Sequence, residues 1–265
     1  MNNYHTHTVF CDGKNTAEEM VEAALQGGAR EIGFSGHSYL EDDPSWTMNP
    51  ETEKLYIKEI ERLKEKYKGR IDILLGIEQD FYSLPKGPSY EYSIGSVHCL
   101  YRDGHYISLD ESPEKLREAV SLYYGGDPYL LAEDYYEKVS EVYDRTGCDI
   151  IGHFDLITKF NEVYPLFDTG NVRYRKAAER ALERLLSSPA VFEVNYGAIS
   201  RGYRTSPYPE NFILSAVKSA GKPVILSSDS HSAETVLFGF SEGERLLRDM
   251  GLERLESLRE FKKNG

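Results

Sequence analysis

Seven short apolar runs, each followed by a stretch with helical spacing, constrain this chain more than any other feature of its sequence. They are Tyr4–His7, Glu31–Ser35, Asp72–Glu78, Tyr92–Val97, Asp149–Gly152, Val191–Asn195 and Pro223–Ser228. Strands that alternate with helices predict parallel β/α units in an α/β fold. Thr16-Ala17-Glu18-Glu19 reads as a capping box opening a helix that runs to Gly27 and Gly28. Asn49-Pro50 opens the next, with Tyr56, Ile60, Leu63 and Tyr67 on its apolar face and Gly69 as its stop. The same spacing recurs in Leu116/Ala119/Val120/Tyr123, Tyr135/Val139/Val142, Ala178/Ala181/Leu182/Leu185 and Ile213/Ala216/Val217/Ala220. Each of these predicts a helix with one face on the sheet. Tyr101–Asp110, centred on Asp103-Gly104, predicts a hairpin excursion. The tail from Ser241 to Lys263 predicts one amphipathic helix covering the barrel.

The chain's 265 residues suit one α/β barrel of about 250 residues, so one domain is expected over 1–265. Asp plus Glu outnumber Lys plus Arg by 44 to 31, a net charge of −13, and no dense basic block appears. That balance disfavours nucleic acid and anionic lipid as partners. No apolar stretch approaches the ~18 to 20 residues that span a bilayer, so no membrane association is expected. The opening residues lack the layout of a signal peptide, and a cytoplasmic location is expected. Cys11, Cys99 and Cys148 are odd in number and widely spaced, which fits reduced thiols better than a disulfide framework. No sequence feature specifies an oligomeric state.

Of the seven histidines, His5, His7, His37, His98, His153 and His231 lie at or just past the C-terminal end of a predicted strand, and His105 does not. That end is where parallel α/β barrels assemble their sites. An isolated histidine there is more often a satisfied structural group, but six together point to a metal site. In His5-Thr6-His7 the imidazoles at i and i+2 share a strand face and can reach one ion. Asp12 reads either as an Asp-Gly turn or as a loop carboxylate turned back over the same mouth, and its proximity to His5 and His7 favours the second. Glu78 ends so apolar a strand that it must be ion-paired or metal-bound. Asp229 and His231 form a mixed i, i+2 pair after the last strand. Nine nitrogen or oxygen ligands on one rim exceed the need of one ion. Mixed imidazole and carboxylate donors suit Zn²⁺, Mn²⁺ or Fe²⁺, and two or three such ions are standard apparatus for phosphate-ester hydrolysis.

His5-x-His7 with Asp12, Gly36-His37, Gly76-x-Glu78, Ser96-Val97-His98, Gly152-His153 and Asp229-Ser230-His231, in this order, closely resemble the polymerase and histidinol phosphatase (PHP) superfamily. The resemblance implies a distorted (β/α)7 TIM-like barrel with a trinuclear metal site on its C-terminal face. It also implies that His5, His7, Glu78 and Asp229 hold one ion, Glu78, His98 and His153 a second, and Asp12, His37 and His231 a third, with Glu78 bridging the first two. Within the superfamily the chain is most similar to the histidinol-phosphate phosphatases, through Gly152-His153-Phe154-Asp155-Leu156 with Lys159 behind it and Glu193-Val194-Asn195 followed by Gly197 and Arg201. This likeness makes Lys159 and Arg201 the groups that grip the substrate phosphate, with Arg204 a nearby alternative.

The expected activity is that of a histidinol-phosphatase, a metal-dependent phosphoric monoester hydrolase releasing L-histidinol and phosphate in histidine biosynthesis. The nucleophile is expected to be hydroxide derived from metal-bound water, and Asp155, His105 or a metal-bound water is the candidate acid for the leaving group. The same centre could instead cleave another small phosphate ester, a nucleotide or a phosphodiester. A barrel without catalysis that serves as an interaction module is the competing reading from a different class, although none of the nine ligands is lost. Trp46 reads as core before it reads as a pocket or oligomer surface.

Overall fold

The computed structural model describes residues 1–41, 45–84, 86–87 and 90–264. Seven parallel strands form one sheet in the order β1 (Asn2–Asn3), β2 (Glu31–Phe34), β3 (Asp72–Asp80), β4 (Tyr92–Ser96), β7 (Ile150–Ile151), β8 (Val191–Asn195) and β9 (Val224–Ser227). The expected hairpin is present as β5 (Cys99–Arg102) and β6 (His105–Ser108), paired antiparallel around Asp103 and Gly104. The first and last strands approach through a parallel bridge between Thr6 and Ser230. There the His7 amide donates to the Ser230 carbonyl at 2.8 Å and the Ser230 amide to the His5 carbonyl at 3.2 Å. The sheet thus curls into a nearly closed barrel, and its closure lies at the mouth.

Helices α1 (Ala17–Gln26), α2 (Pro50–Lys66), α3 (Pro113–Tyr123), α4 (Pro128–Thr146), α5 (Val172–Leu186), the short α6 (Gly197–Ser200) and α7 (Asn211–Ser219) connect the strands. Their starts follow local chemistry. The Thr16 hydroxyl accepts from the Glu19 amide while the Glu19 carboxylate accepts from the Thr16 amide, and Asn49 caps α2 ahead of Pro50. The tail differs from expectation. Gly251, at φ 65°, ends α8 (Phe240–Met250), and a separate α9 (Leu258–Asn264) follows. Between them the chain pairs with the floor of the barrel, where Val224 and Arg254 bridge and Leu258 joins the interior core. One continuous helix could not supply those backbone hydrogen bonds. Among the described residues no helix is long and apolar enough to cross a membrane.

The strands are buried on both faces, and their inward residues are sorted by height. The lower interior holds Tyr4, Leu74, Tyr92, Ile94, Ile150, Val191 and Ile225. Two glycines make room for the largest of these: a Cβ on Gly33 would lie 2.4 Å from the Tyr92 hydroxyl and one on Gly76 2.2 Å from its ring. The Tyr92 hydroxyl then donates to the Tyr4 carbonyl at 2.6 Å. Stepping up by two residues keeps the inward face, and it leads from Leu74 through Gly76 to Glu78, from Ile94 to Ser96, from Val191 to Glu193, and from Ile225 to Ser227. The interior therefore changes from apolar to polar as it nears the mouth.

Candidate metal centre

The structure brings all nine expected ligands to this mouth, with Glu78 at their middle. Its Oε2 lies 3.1 Å from His5 Nε2, 3.5 Å from His7 Nε2 and 3.0 Å from His37 Nδ1. Its Oε1 faces the other way, 2.9 Å from His153 Nε2 and 3.4 Å from His98 Nε2, and accepts from the Ser96 hydroxyl at 2.6 Å. Asp229 Oδ1 lies 3.6 Å from His5 Nε2 and 3.4 Å from His7 Nε2. Asp12 stands at the outer edge, 3.2 Å from His231 Nε2 and 3.6 Å from His37 Nε2. The His7 ring stacks between those of His37 and His231, each 4.2 Å away, so it also belongs with the outer group.

These contacts suit a cation. His5 Nε2, His7 Nε2 and Glu78 Oε2 are buried, face one another and have no hydrogen-bond partner among the described residues. Donors held at 2.0 to 2.1 Å around a tetrahedral ion stand about 3.3 to 3.4 Å apart, close to the spacings here. The electrostatics agree. Burial opposes charge on Glu78, yet His5, His98 and His37, whose own pKa values the surrounding carboxylates raise, hold its carboxyl well below the usual range, and a cation at this place would replace their protons. Burial, reinforced by His231 and His37, pushes His7 down to about 3, leaving a neutral imidazole with a lone pair to give.

A second tier orients these ligands. Glu193 is fully enclosed: Oε1 lies 2.6 Å from His5 Nδ1 and accepts from the Ser227 hydroxyl, while Oε2 accepts from the His153 amide at 2.8 Å and the Asn195 amide nitrogen at 3.0 Å. Asp80 accepts from the His98 amide at 2.8 Å. Sequence reasoning assigned neither Glu193 nor Asp80 to the centre. The available signal was their period-2 spacing on an inward strand face that also carries ligands or core residues. Asp229 adopts a left-handed backbone, φ 45°, a conformation tolerated by short polar residues. A Cβ on Gly197 would lie 2.5 Å from its Oδ2, so only glycine fits there.

These residues open into a cleft of about 890 Å³. Lys159 and Arg201 both line it. Lys159 Nζ donates to the Asp110 carbonyl at 2.8 Å and to its Oδ2 at 3.0 Å. Arg201 is tied to two of the expected ligands, donating from Nη2 to Asp229 Oδ2 at 3.0 Å, with Nη1 3.2 Å from His231 Nδ1. Arg204, the alternative cation, instead stacks on Tyr208, its carbon 4.5 Å from the ring centre, and bonds Thr158 in the interior. Trp46 lines the cleft with its ring against His37 and His98.

Neither candidate acid is among the described residues lining the cleft. Asp155 is buried behind it, where Oδ2 accepts from the Glu210 amide at 2.9 Å and burial raises its carboxyl to about 6. His105 is exposed on β6 beside Tyr123, because the hairpin carries it outward.

The chain is similar to several known proteins. A histidinol-phosphatase of Bacillus subtilis is 28% identical over 89% of this chain and 95% of its own length. A solved structure from Listeria monocytogenes superposes with a TM-score of 0.80 at 23% identity, covering 91% of this chain and 99% of that one. A histidinol phosphate phosphatase of Lactococcus lactis, solved with zinc, L-histidinol and phosphate, superposes with a TM-score of 0.69 at 20% identity, covering 96% of this chain and 95% of that one. The seven-stranded barrel is thus a fold shared with both structures. The PHP domain itself matches residues 3–197, which include seven of the nine residues gathered at the mouth, and the chain belongs to the PHP family.

Proposed function

We propose that this protein is a metal-dependent phosphomonoesterase that hydrolyses L-histidinol phosphate to L-histidinol and phosphate. The observation that carries the reading is the division of Glu78, whose Oε2 faces His5, His7 and His37 while its Oε1 faces His98 and His153. A carboxylate so divided is suited to sharing its charge between two cations. In this reading His5, His7, Glu78 and Asp229 hold one ion of Zn²⁺, Mn²⁺ or Fe²⁺, and Glu78, His98 and His153 hold a second. Asp12, His37 and His231 offer a third position. Such ions, when bound, lower the pKa of water and offset charge developing on phosphoryl oxygens.

The protein's own groups do the positioning. Glu193 accepts the Nδ1 proton of His5 and so turns the Nε2 lone pair inward. Lys159 and Arg201 stand on the cleft wall, where their N–H groups can take phosphoryl oxygens. Trp46 packs edge-to-face against the His37 and His98 rings at one side of the cleft. The names and bound ligands of the Bacillus and Lactococcus proteins supply the substrate in this reading.

The test is phosphate release from a set of phosphomonoesters and phosphodiesters with each metal added. L-histidinol phosphate should exceed p-nitrophenyl phosphate in kcat/KM by about a hundredfold, since buried polar groups left unpaired by a wrong substrate discriminate strongly. Equal values would mark a general phosphatase, and activity on diesters alone a nuclease-like enzyme. A fully metallated protein inactive on every ester would be the interaction module.

A further inference from the structure

A cleft built to receive a phosphate dianion carries a carboxylate on its own wall. Asp110 follows β6 and is set beside the centre because the neighbouring Leu109 amide donates to the His98 carbonyl at 2.9 Å. Its carbonyl and Oδ2 hold the Lys159 ammonium, which also lies 5.4 Å and 5.7 Å from the Phe160 and Tyr203 ring centres. Its Oδ1 accepts no hydrogen bond among the described residues, and the side chain keeps about a quarter of its exposure (28%) in a residue that lines the cleft. The Lys159 ammonium, 3.0 Å from Oδ2, favours the ionised form of this carboxyl.

An ionised carboxylate here repels a plain phosphate ester, and the repulsion is relieved when the ester brings its own cation. We propose that Asp110 is a specificity-determining residue that selects phosphomonoesters carrying an ammonium close to the ester oxygen, with Oδ1 taking the ammonium while Oδ2 holds Lys159 for the phosphate. The inference rests on the phosphomonoesterase reading above and extends it to the part of the substrate that the metal ligands do not see.

The experiment compares kcat/KM for L-histidinol phosphate and for its deaminated analogue, in the wild type and in Asp110→Asn, with Asp110→Ser as a second variant. Losing the Lys159 anchor lowers both esters alike, so the ratio between them isolates the amine contact. The wild type should prefer the aminated ester by about tenfold to hundredfold, the range of one charge-assisted hydrogen bond. Both variants should bring the ratio close to one. An unchanged ratio in folded, metallated variants would reduce Asp110 to a support for Lys159 and overturn the proposal. A wild type that hydrolyses both esters equally would overturn it while leaving the phosphomonoesterase reading standing, and a wild type that hydrolyses neither would remove both.

Discussion

Replacing Glu193 by Gln changes one atom of a buried carboxylate, and the geometry says how the damage reaches a metal. Glu193 accepts from four donors: His5 Nδ1, the Ser227 hydroxyl, the His153 amide and the Asn195 side-chain amide. The last two cannot reverse roles, because a backbone N–H and an NH₂ group only donate. Gln must therefore keep its oxygen toward His153 and Asn195 and turn its NH₂ toward His5 and Ser227. The Ser227 hydroxyl can rotate to accept. His5 can accept at Nδ1 only by moving its proton to Nε2, and Nε2 is the atom facing Glu78 at 3.1 Å and Asp229 at 3.6 Å. The lone pair needed for an ion is then lost. A charge-assisted hydrogen bond is worth about 1.5 to 3 kcal/mol, and losing an outer partner of a metal-bound histidine costs about tenfold to hundredfold in affinity, so the two figures agree. Chelator-competition titration of the metal-free protein should show Glu193→Gln weaker by that factor, with its fold intact by circular dichroism. Unchanged affinity in a folded variant would refute the tautomer argument.

Glu78→Gln should lower the occupancy of two ions together, read by elemental analysis, whereas loss of a single ion would argue against sharing. Arg201→Ala should cut kcat/KM by about tenfold to hundredfold and also weaken metal retention, because the guanidinium braces Asp229 Oδ2 and adjoins His231; Arg201→Lys should recover little, lacking the planar fork. Gly76→Ala drives a Cβ to 2.2 Å from the Tyr92 ring and should cost about 1 to 3 kcal/mol, read as a lower urea midpoint at constant slope. Chelation should lower the melting temperature, since an ion at a hundred times its Kd adds about 2.7 kcal/mol to the folded state.

By itself the sequence determined the barrel and the inventory of its rim. Alternating strand and helix patterns, helix caps at Thr16 and Asn49, and the Asp103-Gly104 turn are local, so each reads without knowledge of the rest of the chain. Histidines at strand ends are legible for the same reason, because the order of parallel strands sends every C-terminal end to one face. The single helix expected from Ser241 to Lys263 failed because periodicity reports an apolar face without saying what it covers, and here Gly251 breaks the helix so that the chain can pair with Val224. Arg201 and Arg204 are three residues apart and chemically alike, yet one braces Asp229 in the cleft and the other is stacked in the interior on Tyr208. Asp155 and His105 look like acids by type and by sequence neighbourhood, and only the fold places one behind the cleft and the other on an exposed hairpin. Glu193 touches His5 from 188 residues away. Which carboxylate holds which imidazole depends on strand register and on closure between the first and last strands, and such long-range distances are set when the sheet curls shut.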